Sequence, residues 1–127
     1  MSKDLILLDT NIIIYTLNGD SRISDFINDK RAAVSFVSEI ELLGWKNLSS
    51  QNKSAIEMFL NDCIFIEYNL RIKQATIDIK SRYGLKLADA FIAASAIQFD
   101  LPLVSADKIF SKIKQLNFFN IIPTKKS

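Results

Sequence analysis

The chain has 127 residues, 49% hydrophobic and 24% charged, with a formal net charge of +2. That fits one domain with a real core and no large disordered part. There is no histidine and one cysteine, Cys63, which excludes Ser-His-Asp and Cys-His catalysis, imidazole ligands, an internal disulfide and a cysteine metal cluster.

Leu5-Ile6-Leu7-Leu8 are four apolar residues in a row, the pattern of a strand buried on both faces of a parallel sheet. Asp9-Thr10-Asn11 ends that strand, and residues 11–18 read as a short helix stopped by Asn18-Gly19. Ser21 is expected to cap a second short helix that turns Ile23, Phe26 and Ile27 inward. Residues 32–36 form a short strand, and Ser38 opens a helix running to about Trp45. Residues 51–61 carry Ala55, Ile56, Phe59 and Leu60 on one stripe of a helix. Residues 63–68, rich in β-branched and aromatic side chains, read as a strand. Asn69 caps the next helix and Gly84 closes it. Residues 87–99 are apolar almost all round and predict a buried helix. Pro102 suits the first residue of a strand over 101–104. A short helix over 108–115 and an edge strand over 120–123 complete the pattern.

Strands alternate with helices throughout, which predicts an α/β fold of three layers with a mostly parallel sheet. Residues 1–127 are expected to form one domain, with 123–127 as a tail. No apolar run approaches the ~20 residues of a membrane-spanning helix. The opening Met1-Ser2-Lys3-Asp4 does not read as a secretory signal, and the lone cysteine fits a reducing compartment. The expected location is the cytoplasm.

Four carboxylates stand out, each with an ordinary structural reading beside the functional one. Asp9 and Asp107 can be helix N-caps. Glu41, three residues after Ser38, fits a capping box. Asp89 can be a first-turn acid satisfied by the helix dipole, yet it sits within Leu87-Ala88-Asp89-Ala90-Phe91-Ile92, where an ionised group loses hydration unless something compensates it. Glu39 is a poor partner for Glu41, because residues two apart do not share a helix face.

Placement adds what the single signals lack. In a parallel sheet all four acids fall at the rim formed by the carboxyl ends of the strands, where ligands bind. Gathered there, they need a divalent cation to stay ionised together. Oxygen donors without Cys or His select Mg²⁺ or Mn²⁺ over Zn²⁺. Such a site suits phosphate chemistry, and Lys46, Lys86 and Lys108 lie close enough in sequence to contact a phosphodiester backbone.

These residues resemble the PIN-domain family and, within it, the VapC-type toxins of toxin–antitoxin pairs. The likeness rests on Leu7-Leu8-Asp9-Thr10-Asn11, on Ser38 with Glu41-Leu42, on Asp89 ahead of Ala90-Phe91-Ile92-Ala93-Ala94, and on Ser105-Ala106-Asp107 with Phe110. It implies a metal-dependent endoribonuclease restrained by an antitoxin and commonly homodimeric. Asp9 and Asp89 would be the principal metal ligands, with Glu41 and Asp107 completing the catalytic set. Thr10, Asn11 and Ser105 would be supporting polar groups. Ala106 stands where the family often has a polar residue. The competing expectation is a PIN-like fold that binds RNA or protein without cutting. A haloacid-dehalogenase-like phosphatase is disfavoured, since Asn11 holds the place of the second aspartate it needs. Trp45, Phe59 and Leu60 are candidates for a partner-helix groove or for core.

Overall fold

A computed structural model describes residues 4–124. Five strands, β1 (Leu5–Leu8), β2 (Arg31–Ser35), β3 (Ile64–Ile66), β4 (Leu103–Ser105) and β5 (Phe118–Asn120), form one sheet in the order β3-β2-β1-β4-β5. Every neighbouring pair is parallel. β1 therefore lies at the centre, with β2 on one side and the much later β4 on the other. The strand order reverses there, and a crevice opens beyond the carboxyl ends of β1 and β4.

Alternation along each strand supplies two cores. Leu7, Ala33, Ile66 and Leu103 face helices α5 (Leu70–Tyr83) and α6 (Leu87–Gln98). Ile6, Leu8, Val34 and Val104 face α1 (Thr10–Leu17), α2 (Ser21–Ile27), α3 (Phe36–Leu43) and α4 (Ser50–Asn61). Leu7 and Leu8 are both fully buried, as the unbroken apolar run requires. In α6 every residue from Ala90 to Ala96 is buried. Among the described residues, no buried side-chain nitrogen or oxygen lacks a hydrogen-bond partner, and no helix is long and apolar enough to cross a membrane.

Several boundaries differ from expectation for local reasons. β2 runs into α3 without a loop, and Ser35, the last strand residue, caps that helix through a bond from the Val37 amide. Ser38 is thus inside the helix, Glu41 lies in its second turn, and the capping-box reading fails. α2 is capped by Asp20 rather than Ser21, with Asp20 Oδ1 accepting from the Arg22 and Ile23 amides. β4 begins after Pro102, whose carbonyl accepts the Leu7 amide at 2.8 Å. β3 and β5 keep only three residues each, and β5 covers 118–120 rather than 120–123. Lys108–Lys112 form a 3-10 turn, not a helix reaching 115. The caps at Asn69 and Gly84 stand where expected, Gly84 with the left-handed φ of 67° that glycine adopts without strain.

Near the carboxyl terminus, Thr124 donates to Asp20 Oδ2 at 2.9 Å, and Arg22 Nη1 donates to the Ile122 carbonyl at 3.2 Å. Residues 121–124 are thereby tied to α2, and 125–127 of the expected tail lie outside the described residues. Asp20 is completely buried, so its removal strands two amides and one hydroxyl. Asp20→Ala should lower the unfolding free energy by about 2 kcal/mol, read from urea denaturation. A loss under about 0.5 kcal/mol would mean that the cap and the tie contribute little.

Candidate active site

β1 delivers Asp9 to the crevice. Its amide still bonds the Val104 carbonyl at 2.9 Å, and its carbonyl accepts from the Ile12 and Ile13 amides. Strand and helix are thus joined at one residue. The carboxylate is only 5% exposed. Oδ1 accepts from the Thr10 amide at 2.8 Å and Oδ2 from Ser105 Oγ at 2.7 Å. Burial pushes the Asp9 pKa up to about 6; the bonds from Ser105 and Thr10 pull against that, and the charges of Asp89 and Glu41 add to the rise. Cap and site residue are one group here, as the shared geometry allows.

Ser105 is the fixed point beneath the site. Its hydroxyl donates to Asp9 and accepts from Asn11 Nδ2 at 3.3 Å and the Asp107 amide at 3.0 Å. One donor and two acceptor positions are all a hydroxyl has, so the group is saturated. Asn11 Oδ1 accepts from the Ala106 amide, and Asn120 Nδ2 donates to the Ser105 carbonyl. Two segments far apart in sequence, residues 9–11 and Asn120, are locked to the end of β4 in this way. Asp107 also caps the 3-10 turn, accepting from the Ile109 amide.

A second hydroxyl chain holds Glu41. Thr10 Oγ1 donates to Glu41 Oε1 at 2.6 Å and sits 2.8 Å from Ser38 Oγ. Thr10 has one hydroxyl proton and gives it to the carboxylate, so Ser38 must donate to Thr10. Ser38 is fully buried. Its three-residue spacing from Glu41 reflects this relay and not a capping box.

Asp89 occupies the first turn of α6. Its pKa is raised by burial first, then by Asp107 and Glu41, with Lys86 opposing. Asp9, Thr10, Asn11, Glu41, Asp89 and Asp107 all line one cleft of ≈ 510 Å³, with Ser105 buried below. Glu39 does not line it. A larger hollow between α5 and α6 has Arg71 and Asp78 as its charged lining groups and gathers no acid cluster. The proposed groove trio is split: Trp45 lines the acidic cleft, Leu60 is core, and Phe59 borders a different hollow.

A divalent cation suits these donors in type, since all are carboxylate oxygens. Mutual repulsion among Asp9, Asp89, Glu41 and Asp107 is relieved by positive charge. Among the described residues, however, no three acids are gathered tightly enough to form a finished metal cage.

The model of the PIN domain family matches residues 6–116. The chain belongs to the PIN domain family. No curated protein matches it, but solved structures do. VapBC2 from Rickettsia felis, bound to a DNA fragment from its promoter, aligns with a TM-score of 0.81 at 21% identity, over 92% of this chain and 98% of that one. A toxin–antitoxin complex from Klebsiella pneumoniae gives 0.77 at 25%, over 87% and 94%. DNA-bound VapBC from Salmonella typhimurium gives 0.79 at 22%, over 94% and 98%. The expected likeness to the VapC-type branch of the PIN family is met in the fold.

Asn120 and the α4 side of the cleft were not read from sequence as parts of this PIN site, and Ser38 was read only as a helix cap and as a marker of the Glu41 motif, without its bond to Thr10. Ser38 and Asn120 act through single hydrogen bonds to residues 28 and 15 positions away, which no local pattern encodes. Ala55 and Ile56 were read as core only, because a helical stripe does not say where the core ends.

The raised pKa of Asp9 has a consequence for the metal-free protein. A carboxyl with a folded pKa near 6 and an ordinary value of 3.8 favours folding fully below about pH 4. That contribution, at most about 3 kcal/mol, is lost as pH rises through 6. In EDTA, Asp9→Asn should lose less stability than wild type between pH 4 and 7, measured by thermal melts. Parallel curves for the two proteins would show that Asp9 is not strained by its burial.

Proposed function

We propose that this PIN domain is a divalent-metal-dependent endoribonuclease, acting as the toxin of a toxin–antitoxin pair. The observation that carries the reading is the convergence of Asp9, Glu41, Asp89 and Asp107, from four separate segments, on one cleft at the carboxyl rim of the sheet. A bound Mg²⁺ or Mn²⁺ would lower the pKa of its water and neutralise charge on the scissile phosphate. Asp9 and Asp89 are assigned as the main ligands. Asp9 is held rigid by Ser105 and the Thr10 amide, so it costs little reorganisation when a cation arrives.

Glu41 is aimed by Thr10 and Ser38, and Asp107 by its own amide bond to Ser105. These two acids complete the negative field and are placed to hold metal-bound water by hydrogen bonding. Lys86, at the N-terminus of α6 beside Asp89, and Lys108 are placed to hold phosphates flanking the cut. An antitoxin and a second copy of the chain are the protein partners that go with this reading. Support for the antitoxin comes from the toxin–antitoxin complex of Klebsiella pneumoniae, which shares the fold at 25% identity.

Incubation with total RNA and Mn²⁺, followed by sequencing of new ends, tests the activity directly. Wild type should cut at discrete sites. Asp89→Asn should reduce cleavage at least about 100-fold while leaving the melting temperature of the metal-free protein within a few degrees. Millimolar Mn²⁺ should raise the melting temperature of wild type by several degrees through mass action and that of Asp89→Asn by much less. RNA left whole and a melt indifferent to Mn²⁺ would instead point to a PIN fold that binds without cutting.

The two neighbouring glutamates give a separate check on geometry. Glu41→Gln should depress cleavage far more than Glu39→Gln, because only Glu41 borders the cleft. Equal effects, or the reverse order, would mean that another helix face meets the substrate.

A further inference from the structure

The cleft that holds the acid cluster also has an apolar lining that includes Leu17 from α1, Leu42 from α3 and Ile56 from α4. At its rim stands Trp45, 66% exposed and the sole tryptophan of the chain.

A single exposed aromatic is ordinary; the backbone beneath this one is not. α3 stops at Gly44, where a Cβ would lie 2.5 Å from the Ile40 carbonyl oxygen, so any larger residue would displace backbone. Asn47 then has a φ of 63°, in the left-handed region that asparagine tolerates better than most side chains. These two positions fix the turn that carries Trp45.

We propose that Trp45 is a stacking platform for an unpaired nucleobase of the RNA whose backbone enters the acid cluster; this rests on the nuclease reading above. Trp45 stands just beyond the end of α3 and lines the same cleft as Glu41 and the other three acids, so a nucleotide whose phosphate meets the acids has its base beside the indole. Every base has a π face, so stacking holds a nucleotide without demanding a particular sequence. Lys46, next in the same exposed turn, supplies positive charge for the backbone. Asn52, early in α4 and lining the same cleft, offers an amide to a base edge. A base stacked in a duplex has no free face, so the platform selects loops, bulges and ends.

The competing occupant is an amphipathic helix of another protein. Such a helix needs a row of exposed apolar surface for its successive anchors. Here Leu42 and Ile56 are 4% and 6% exposed, already taken up by the core. Leu17, 37% exposed, is the one other exposed large apolar side chain in the lining, while the acids, Thr10, Asn11 and Asn52 that share the cleft are groups that a base edge and its backbone engage.

Because Trp45 is the only tryptophan, intrinsic fluorescence reports on it alone. The full chain in EDTA, which prevents cleavage, is titrated at low salt with an eight-nucleotide oligoadenylate. The same titration uses a base-free sugar–phosphate chain of equal length and charge. Oligoadenylate should quench the fluorescence, and the base-free chain should not. By fluorescence anisotropy of end-labelled oligoadenylate, Trp45→Ala should weaken binding roughly 5- to 100-fold and Trp45→Phe much less. Neither variant should alter affinity for the base-free chain. Equal affinity of wild type and Trp45→Ala for oligoadenylate overturns the proposal, and if wild type still cuts RNA with Mn²⁺ the nuclease reading survives it. Quenching by a cationic amphipathic helical peptide but not by oligoadenylate also overturns it and gives the shelf to a protein partner. Wild type that neither binds oligoadenylate nor cuts RNA sinks both.

Discussion

The site depends on one buried contact, the bond from Ser105 Oγ to Asp9 Oδ2 at 2.7 Å. An aspartate that is only 5% exposed has lost most of its hydration, and its two oxygens must find donors within the protein. Ser105 supplies one and the Thr10 amide the other. The first of these bonds joins the ends of β1 and β4 across the reversal in strand order. Everything else in the cleft is arranged around that junction. Asn11 and the Asp107 amide lean on the same serine, while Thr10 passes the alignment on to Glu41.

Two hydroxyl systems therefore carve the cleft, and they divide the work. The Ser105 system is buried and saturated, and it fixes position. The Ser38–Thr10 pair ends on Glu41, an acid open to solvent. Asp89 belongs to neither system. It depends on the packing of α6, whose buried stretch from Ala90 to Ala96 is locked against the sheet. A site of this kind sets one buried acid with both oxygens bonded beside acids that are more open to solvent.

Much of this was legible in the sequence because burial leaves patterns. The Leu5–Leu8 run could be placed in a central strand, and the apolar girdle of α6 announced a helix with no wet face. Asp9, Asp89 and Asp107 could be assigned to the rim because each ends a strand or begins a helix. Glu41 was expected in the first turn of a helix opening at Ser38; it lines the same cleft from the second turn of α3, which opens at Phe36. Ser35 ends β2 and caps α3 at once, so there is no loop for a capping box at Ser38 to close. A strand running straight into a helix leaves no Gly, Pro or polar cluster to mark the join. The short edges β3 and β5 were misjudged because strand length at an edge is decided by the neighbour, not by propensity. Thr124 bonding Asp20 and Ser38 bonding Thr10 are long-range pairings that no periodicity records.

The position of β4 has one further implication, for the order in which the molecule can come into being. β1 is made first, yet its second partner is not synthesised until residues 103–105. Until then β1 is an open edge, with β2 and β3 on one side only. Asp9 at that stage has no serine beneath it. Closing a contact across 96 positions is slow relative to local helix formation. A chain that elongates from its amino end thus carries Asp9 long before Ser105, and Asp9 acquires the geometry that organises it only when β4 slots in beside β1.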